Sequence, residues 1–491
     1  MIPFFAERTK LFRNWLSASG ATLATAAFFA FLLLFAMDVF ARQSNPYVGI
    51  LAYVVAPVFF FGGSFMMFWG FRIHSRHIAR GDAGSHPFII DLTRTRDRRL
   101  LQFFVSGAVA FLLVTAIGVT QTYHYTESTH FCGETCHEPM HPEFTTYQIS
   151  PHARVGCVDC HVGEGARYYL EAKLNGVHQL IATAANSYQR PIPTPVKNLR
   201  PAQDTCERCH WPEKLSGNLE RTYHHFLQDE ANTPFTVRML LLVGASDVHP
   251  TMGNGIHWHI NLTNKVEYFA TDPQRQVIPW VRVTHSDGTT TIYRSPDFTA
   301  DPAPDQIRRM DCLDCHNRPA HRFRAPAESL DHALHAGEID RSLPWVKSNM
   351  VALLSAPYTS SAEARQAIGD SLRGIYKDHP GVESLVAKAQ EIYDTSFFPS
   401  MKADWRAYPD NKGHKEWPGC FRCHDGLHKT ADGKRAIGGS ECNSCHVILA
   451  QGSTPEDLRN LSADGHTFLH VDAEYTDLSC NNCHTGGLFK E

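Results

Sequence analysis

The chain has no cysteine outside a pair, no histidine within its long apolar runs, and no large excess of either charge. With 46 Lys and Arg against 50 Asp and Glu, its net charge of −4 gives no electrostatic footprint for nucleic acid. Asp38 is the lone ionisable side chain of the acid or base type in the apolar runs, at the outer end of the first. A bundle without interior Lys, Arg, Glu or His has no obvious proton path and no nitrogen ligands for a buried metal. From Tyr123 onward no stretch is long and apolar enough to span a bilayer.

What is present divides sharply. Three apolar runs, Trp15 to Phe40, Tyr47 to Trp69 and Leu100 to Val119, crowd the first quarter of the 491 residues. Each meets the roughly 20 residues that a membrane helix needs. Pro57 and the Gly62–Gly63 pair interrupt the second run, which membrane helices tolerate when neighbours satisfy the backbone. Arg8, Lys10 and Arg13 precede the first run as in a secretory signal, but the run exceeds the ~7–15 residues of a signal's apolar region. It is read as an uncleaved anchor. Arg72, Arg76, Arg80, Arg94, Arg96, Arg98 and Arg99 fill the loop before the third run, while the loop after the first has only Arg42. Positive residues stay inside, so the N-terminus is expected in the cytoplasm and everything after Val119 on the opposite face.

All 14 cysteines form seven pairs, and a histidine follows the second cysteine of each. Six pairs read Cys-x-x-Cys-His: Cys157/Cys160/His161, Cys206/Cys209/His210, Cys312/Cys315/His316, Cys420/Cys423/His424, Cys442/Cys445/His446 and Cys480/Cys483/His484. The first motif in the chain, Cys132/Cys136/His137, has one extra spacer residue, with Gly133 easing the wider loop. Two thiols at this spacing reach the two vinyl groups of one haem, and the adjacent histidine lies beneath the iron. Zinc ribbons and disulfides would leave seven histidines unexplained. Seven covalent haem c groups are therefore expected. With no histidine in the apolar runs, no b-type haem is expected within the membrane.

The chain's 29 histidines leave a surplus for sixth ligands. In the outer part these are His152, His178, His224, His225, His257, His259, His321, His332, His335, His379, His414, His428, His466 and His470. Proximity to a motif favours His152, His321, His414 and His428, His178 is a further candidate, and Met140, three residues past His137, is a thioether candidate at the first haem. A bis-histidine iron is low-spin, closed to substrate and suited to electron transfer.

The expected fold is mainly α with irregular loops: three N-terminal transmembrane helices and a multihaem domain containing a small β insertion. The divisions are 1–122 (membrane anchor), 123–230 (three haems), 231–300 (β-rich insertion), 301–360 (one haem), 361–400 (helical linker) and 401–491 (three haems). Thr236–Val243, Lys265–Thr271 and Thr289–Tyr293 carry strand composition, punctuated by a turn at His285–Gly288. Helical spacing runs from Ser361 to Tyr393. Porphyrin is expected to supply much of the apolar core.

At its haem motifs the sequence resembles the NapC/NirT family of membrane-anchored multihaem quinol dehydrogenases. The likeness runs from about residue 105 to 210: an apolar helix leading into Cys132–Met140, then Ser150-Pro151-His152-Ala153-Arg154, Gly156–His161, Lys173 and Gly176. Three spans, seven motifs and Gly419–Gly426 resemble the seven-haem inner-membrane cytochromes of metal-reducing bacteria. The family's first motif has a two-residue spacer with methionine two past the histidine; here both distances are three. The resemblance implies a first haem at the membrane surface with methionine ligation and a quinol site using a lysine and an acid. Lys173 matches the lysine, and His178 and Asp38 are proton acceptors.

The resulting expectation is an inner-membrane, multi-pass quinol dehydrogenase. It would contact membrane lipid, oxidise menaquinol or ubiquinol at the periplasmic surface, and feed periplasmic cytochromes, a terminal reductase or an extracellular acceptor. Two alternatives stand beside it: a terminal reductase with an open haem, and a non-catalytic relay subunit. Oligomeric state is not legible.

Overall fold

The computed structural model describes residues 14–40, 51–79, 93–135, 137–163, 165–196, 199–211, 217–244, 255–260, 264–439 and 442–470. Cys136 and the seventh motif, Cys480, Cys483 and His484, lie outside the described residues, as do the side chains of Asp38 and His137. The chain divides into two compact units: Met1–Ser128 with Cys157–His178, and Thr129–Gly156 with Gln179–Glu491.

In the first unit, α1 (Trp15–Phe40) packs along α2 (Ala56–Ala79), which follows a π-turn at Leu51–Val55. Their seam is built from small residues. Ser17, Ala24, Ala27 and Ala56 are buried there, and Ser17 Oγ donates to the Met67 carbonyl (3.1 Å). A Cβ on Gly20 would lie 2.4 Å from Met67 N, and one on Gly63 would lie 2.6 Å from Ala24 N. Apolar lipid offers no hydrophobic drive between helices, so close backbone approach is what holds such a pair together. The Gly62–Gly63 pair thus splits its roles, since a Cβ on Gly62 meets nothing within 4 Å.

Among the described residues two helices are long and apolar enough to cross a membrane, through Trp15–Leu32 and Ala56–Arg76, rather than the three expected. The third expected run lies within α3 (Thr95–Thr126), a 32-residue helix that opens on the basic residues Arg96, Arg98 and Arg99. The same unit contains α5 (Cys157–His161) and the first part of α6 (Ala166–Ala184).

The second unit begins near α4 (His137–Gln148), and α7 (Ala202–Cys206) precedes two antiparallel sheets. One has the order β1-β2-β7: Leu219–Phe226, Pro234–Leu241 and His446–Gly452. The other has the order β5-β4-β3-β6, from Thr290–Arg294, Trp280–Thr284, Lys265–Phe269 and Arg308–Arg309. The strand-like stretch near Thr236 therefore pairs with the C-terminal haem region as well as with β1, its neighbour in sequence.

Residues 361–400, expected as a linker, instead help build the largest apolar core. α8 is Cys312–Cys315; α9 (Pro326–His335), α10 (Val346–Ser355), α11 (Ser361–Ile375) and α12 (Val382–Ser396) follow. Ile368 and Leu372, four apart on α11, are fully buried with Leu330, Val346, Met350 and Leu354. Ser360 caps α11 by accepting from Glu363 N (3.2 Å). This core is made of side chains, so porphyrin is not its only source of apolar burial.

Candidate functional site

Local hydrogen bonding gives the motifs a common shape. The histidine N–H returns to the first cysteine's carbonyl in Cys206–His210 (2.8 Å), Cys312–His316 (2.8 Å) and Cys420–His424 (3.0 Å). That bond closes one helical turn, and residues three apart on a turn share a face, so both thiols point the same way. Cys157–His161 is the helix α5 itself, and Cys442–Ser444 is a short 3-10 turn running into β7, whose first residue is His446.

Exposure differs among the described motif cysteines: Cys209 and Cys442 are exposed and the others half-buried. Cys209 is exposed, as is His210 beside it, although Cys209 N still donates to the Cys206 carbonyl (3.1 Å). Cys160 is half-buried next to an exposed His161. At the fourth and fifth motifs, by contrast, burial pushes the thiols of Cys315 and Cys423 up to about 12. Helix length does not set this difference, since α8, which carries Cys315, is one residue shorter than α5 and α7.

The fourth motif has an unusually firm mount. Asp314, between its two cysteines, is 2% exposed. Its carboxylate accepts from Tyr268 Oη (2.7 Å), Arg308 Nε (2.9 Å), Arg275 Nη1 (3.0 Å) and Asp311 N (2.8 Å). Burial, reinforced by the Asp314 charge, pushes the Tyr268 hydroxyl far above its usual range. The Asp314 carbonyl accepts from Arg422 Nη2 (2.8 Å), and Arg422 lies between the cysteines of the fifth motif. From the third motif to the sixth, consecutive motifs are neighbours. The Cys206 thiol hydrogen-bonds that of Cys312, and the Cys420 thiol adds to the effect of burial on Cys315. Cys420 also acts on Cys445.

Four attachment histidines stand opposite a second imidazole. Ring centroids are 6.0 Å apart for His210 and His152, 6.3 Å for His316 and His257, 5.7 Å for His424 and His259, and 6.2 Å for His446 and His414. A metal-bound imidazole nitrogen lies ~2 Å from its metal, so two trans imidazoles have centroids about 6 Å apart. The chemistry agrees with the spacing. His424 Nδ1 donates to the Gly438 carbonyl (3.0 Å) and His259 Nδ1 to the Ile256 carbonyl (2.8 Å). Both Nε2 atoms therefore carry lone pairs, and they face each other at 3.5 Å. Lone pairs so directed suit an electrophile between them, with the Nδ1 bonds fixing tautomer and orientation. Burial lowers the pKa of His257, His259, His316, His414 and His446, favouring the neutral form that ligates iron.

The N-terminal region of the NapC/NirT cytochrome c family matches residues 94–203. Over 487 residues, 96% of this chain and 95% of the relative, the sequence is 39% identical to cytochrome c-type protein ImcH of Geobacter sulfurreducens. The chain belongs to the NapC/NirT cytochrome c family. Cytochrome c-type protein NrfH of Wolinella succinogenes is 28% identical over 102 residues, 20% of this chain and 57% of that one. No solved structure matches. As a NapC/NirT cytochrome the chain is a membrane-anchored multihaem protein with covalent haem c, and the facing imidazoles fit that group.

Other expected residues fare differently. His428 faces no described motif histidine: it is 2% exposed, Nδ1 bonds Asp425 Oδ1 (2.8 Å) and Nε2 bonds the Ile278 carbonyl (2.7 Å). His321 Nδ1 donates to the Glu143 carbonyl (2.8 Å), leaving Nε2 as its lone-pair nitrogen. Met140 is half-buried on α4, and His178 is exposed on α6. Lys173 Nζ pairs with Glu127 Oε1 at 2.5 Å and lies 5.2 Å from the centre of the Tyr169 ring. Glu127 caps the C-terminal end of α3, where the helix dipole disfavours a carboxylate and Lys173 compensates. Sequence reading passed over Glu127, although it is the first acid after the third apolar run. On α6 an exposed stripe of Leu170, Leu174, Val177 and Ile181 flanks Lys173.

Proposed function

We propose that this NapC/NirT cytochrome is a quinol dehydrogenase carrying seven haem c groups, one per cysteine pair. The partly open Cys160 and the exposed Cys209 serve as second thioether positions like the buried ones. The protein oxidises menaquinol or ubiquinol at the outer membrane–water boundary and supplies periplasmic cytochromes, a terminal reductase or an extracellular acceptor. The third apolar run completes a three-span anchor whose N-terminus is cytoplasmic. Bound haem supplies one-electron redox chemistry between quinol and acceptor. His152 and His414 serve as sixth ligands opposite His210 and His446, His321 is a further sixth ligand, and Met140 belongs to the first haem.

The observation that carries the quinol reading is the Lys173–Glu127 pair at the end of α3, beside the apolar stripe of α6. An apolar face with a few convergent polar groups suits a lipid-soluble substrate with a polar head. The Glu127 carboxylate accepts a quinol hydroxyl, Lys173 Nζ holds that carboxylate in place, and each turnover releases two protons and two electrons from one quinol. Asp38 and His178 complete the set as proton acceptors. The leucine stripe lies against membrane lipid or the quinol tail.

Anaerobic addition of a reduced menaquinone analogue to the oxidised, detergent-purified protein tests this. Rapid growth of the reduced haem α-band, blocked by a quinol-site inhibitor, is the expected outcome. Protein that dithionite reduces fully but quinol does not would overturn the dehydrogenase reading in favour of a relay role.

A further inference from the structure

Histidines 257 and 259 sit two residues apart on one 3-10 turn, Ile256–Ile260, yet each faces the attachment histidine of a different motif. We infer that this turn is a ligand bridge, with His257 the sixth ligand of the haem held by Cys312 and Cys315, and His259 that of the haem held by Cys420 and Cys423. The assignment rests on the seven-haem reading and goes beyond it by naming one element that completes two irons.

The geometry of the turn explains how one element serves two sites. A 3-10 helix advances about 120° per residue, so side chains two apart diverge by about 120°. Trp258, between them, packs with Val266, Tyr268 and Val283 on the four-stranded sheet. The backbone is tied down as well: Ile256 N donates to the Leu242 carbonyl (2.8 Å) and His257 N to that of Val243 (3.3 Å), just past β2. Gly255 permits that approach, since a Cβ there would lie 2.3 Å from the Gly244 oxygen. Arg422 also joins the loops of the same two motifs. The two sites are therefore tied to one another, and a displacement of the turn moves two ligands together.

The test uses the full-length holoprotein with His257→Met, His259→Met, the double variant, and His285→Met, in the turn between β4 and β5, as control. Haem per chain is measured by pyridine haemochrome, and axial ligation by electron paramagnetic resonance and near-infrared magnetic circular dichroism. Each single variant is expected to retain all haem and convert one haem of the seven from bis-histidine to histidine–methionine. The double variant should convert two and the control none. Should a methionine variant fail to accumulate, His257→Gly and His259→Gly provide the second route: one haem becomes high-spin and returns to low-spin on adding imidazole. Full haem content with unchanged bis-histidine signals would overturn the bridge and leave the haem reading intact. Peptide mass showing no haem on Cys312/Cys315 or Cys420/Cys423 in the unmodified protein would overturn both.

Discussion

Around Cys312–His316 the charges are buried and mutually satisfied, whereas along α6 the chain leaves apolar side chains in the open. Asp314 has acceptor bonds from three side chains and is 2% exposed, while Leu174 on α6 is 63% exposed. The first arrangement holds a centre still relative to its neighbours, as transfer between fixed sites demands. The second keeps open the surface on which the proposed quinol site rests. Ionic groups recur in both, but their surroundings differ: Lys347 and Asp331 pair at 2.5 Å inside the helical core, each about 5% exposed, while Lys173 is 35% exposed.

The contrast can be broken from either side. Removing a partner from a buried ionic network typically costs ~3–5 kcal/mol, because the remaining charges lose their compensation. Asp314→Ala is expected to cost about that much in denaturant titrations followed by circular dichroism, with haem loss at the fourth motif; an unchanged midpoint would mean that the mount is not what holds the loop. The next largest effect concerns Glu328. Burial opposes its ionisation, but His332 and Arg322 outweigh burial and hold the carboxyl down to about 2. A lowered folded-state pKa gives stability that is present above ~4.5 and lost as pH falls through about 2. Glu328→Gln should remove about 3 kcal/mol of that acid-sensitive stability. Acid titration by circular dichroism should then fall less steeply in the variant.

On the open side the effects are smaller in energy but fall on turnover. Lys173→Gln should slow reduction by quinol roughly 5–10-fold, since a partly exposed pair contributes ~1 kcal/mol. Dithionite reduction of the same sample should remain complete, and equal quinol rates would remove Lys173 from the site. Leu174→Gln should leave stability within ~0.5 kcal/mol. Its effect should appear only as weaker binding of the quinol analogue or of lipid vesicles.

Haem attachment was legible because it depends on spacing within five or six residues. The amphipathic helices at 361–396 were legible for the same reason, since periodicity is local. Partnership across the chain was not. His428 is four residues from His424 in sequence, yet its nitrogens are committed to Asp425 and Ile278, and His259 faces His424 from far upstream. Nearness in sequence favoured His428 over His259, whereas tertiary packing brings His259 to His424. Burial is set at the same long range, which is why identical spacing leaves Cys209 exposed and Cys423 half-buried. The strand near Thr236 shows the same limit: its strand composition was visible, but its pairing with β7 is set by long-range closure.

That closure has a consequence for the order of assembly. β2 cannot find its outer neighbour until residues 446–452 have left the ribosome, late in synthesis, and non-local pairings of this kind form slowly. Since the strand begins at His446, maturation of the sixth motif and completion of the sheet converge on one residue. A chain truncated before that point keeps β1 and β2 as a bare hairpin, with an unpaired edge available for aggregation.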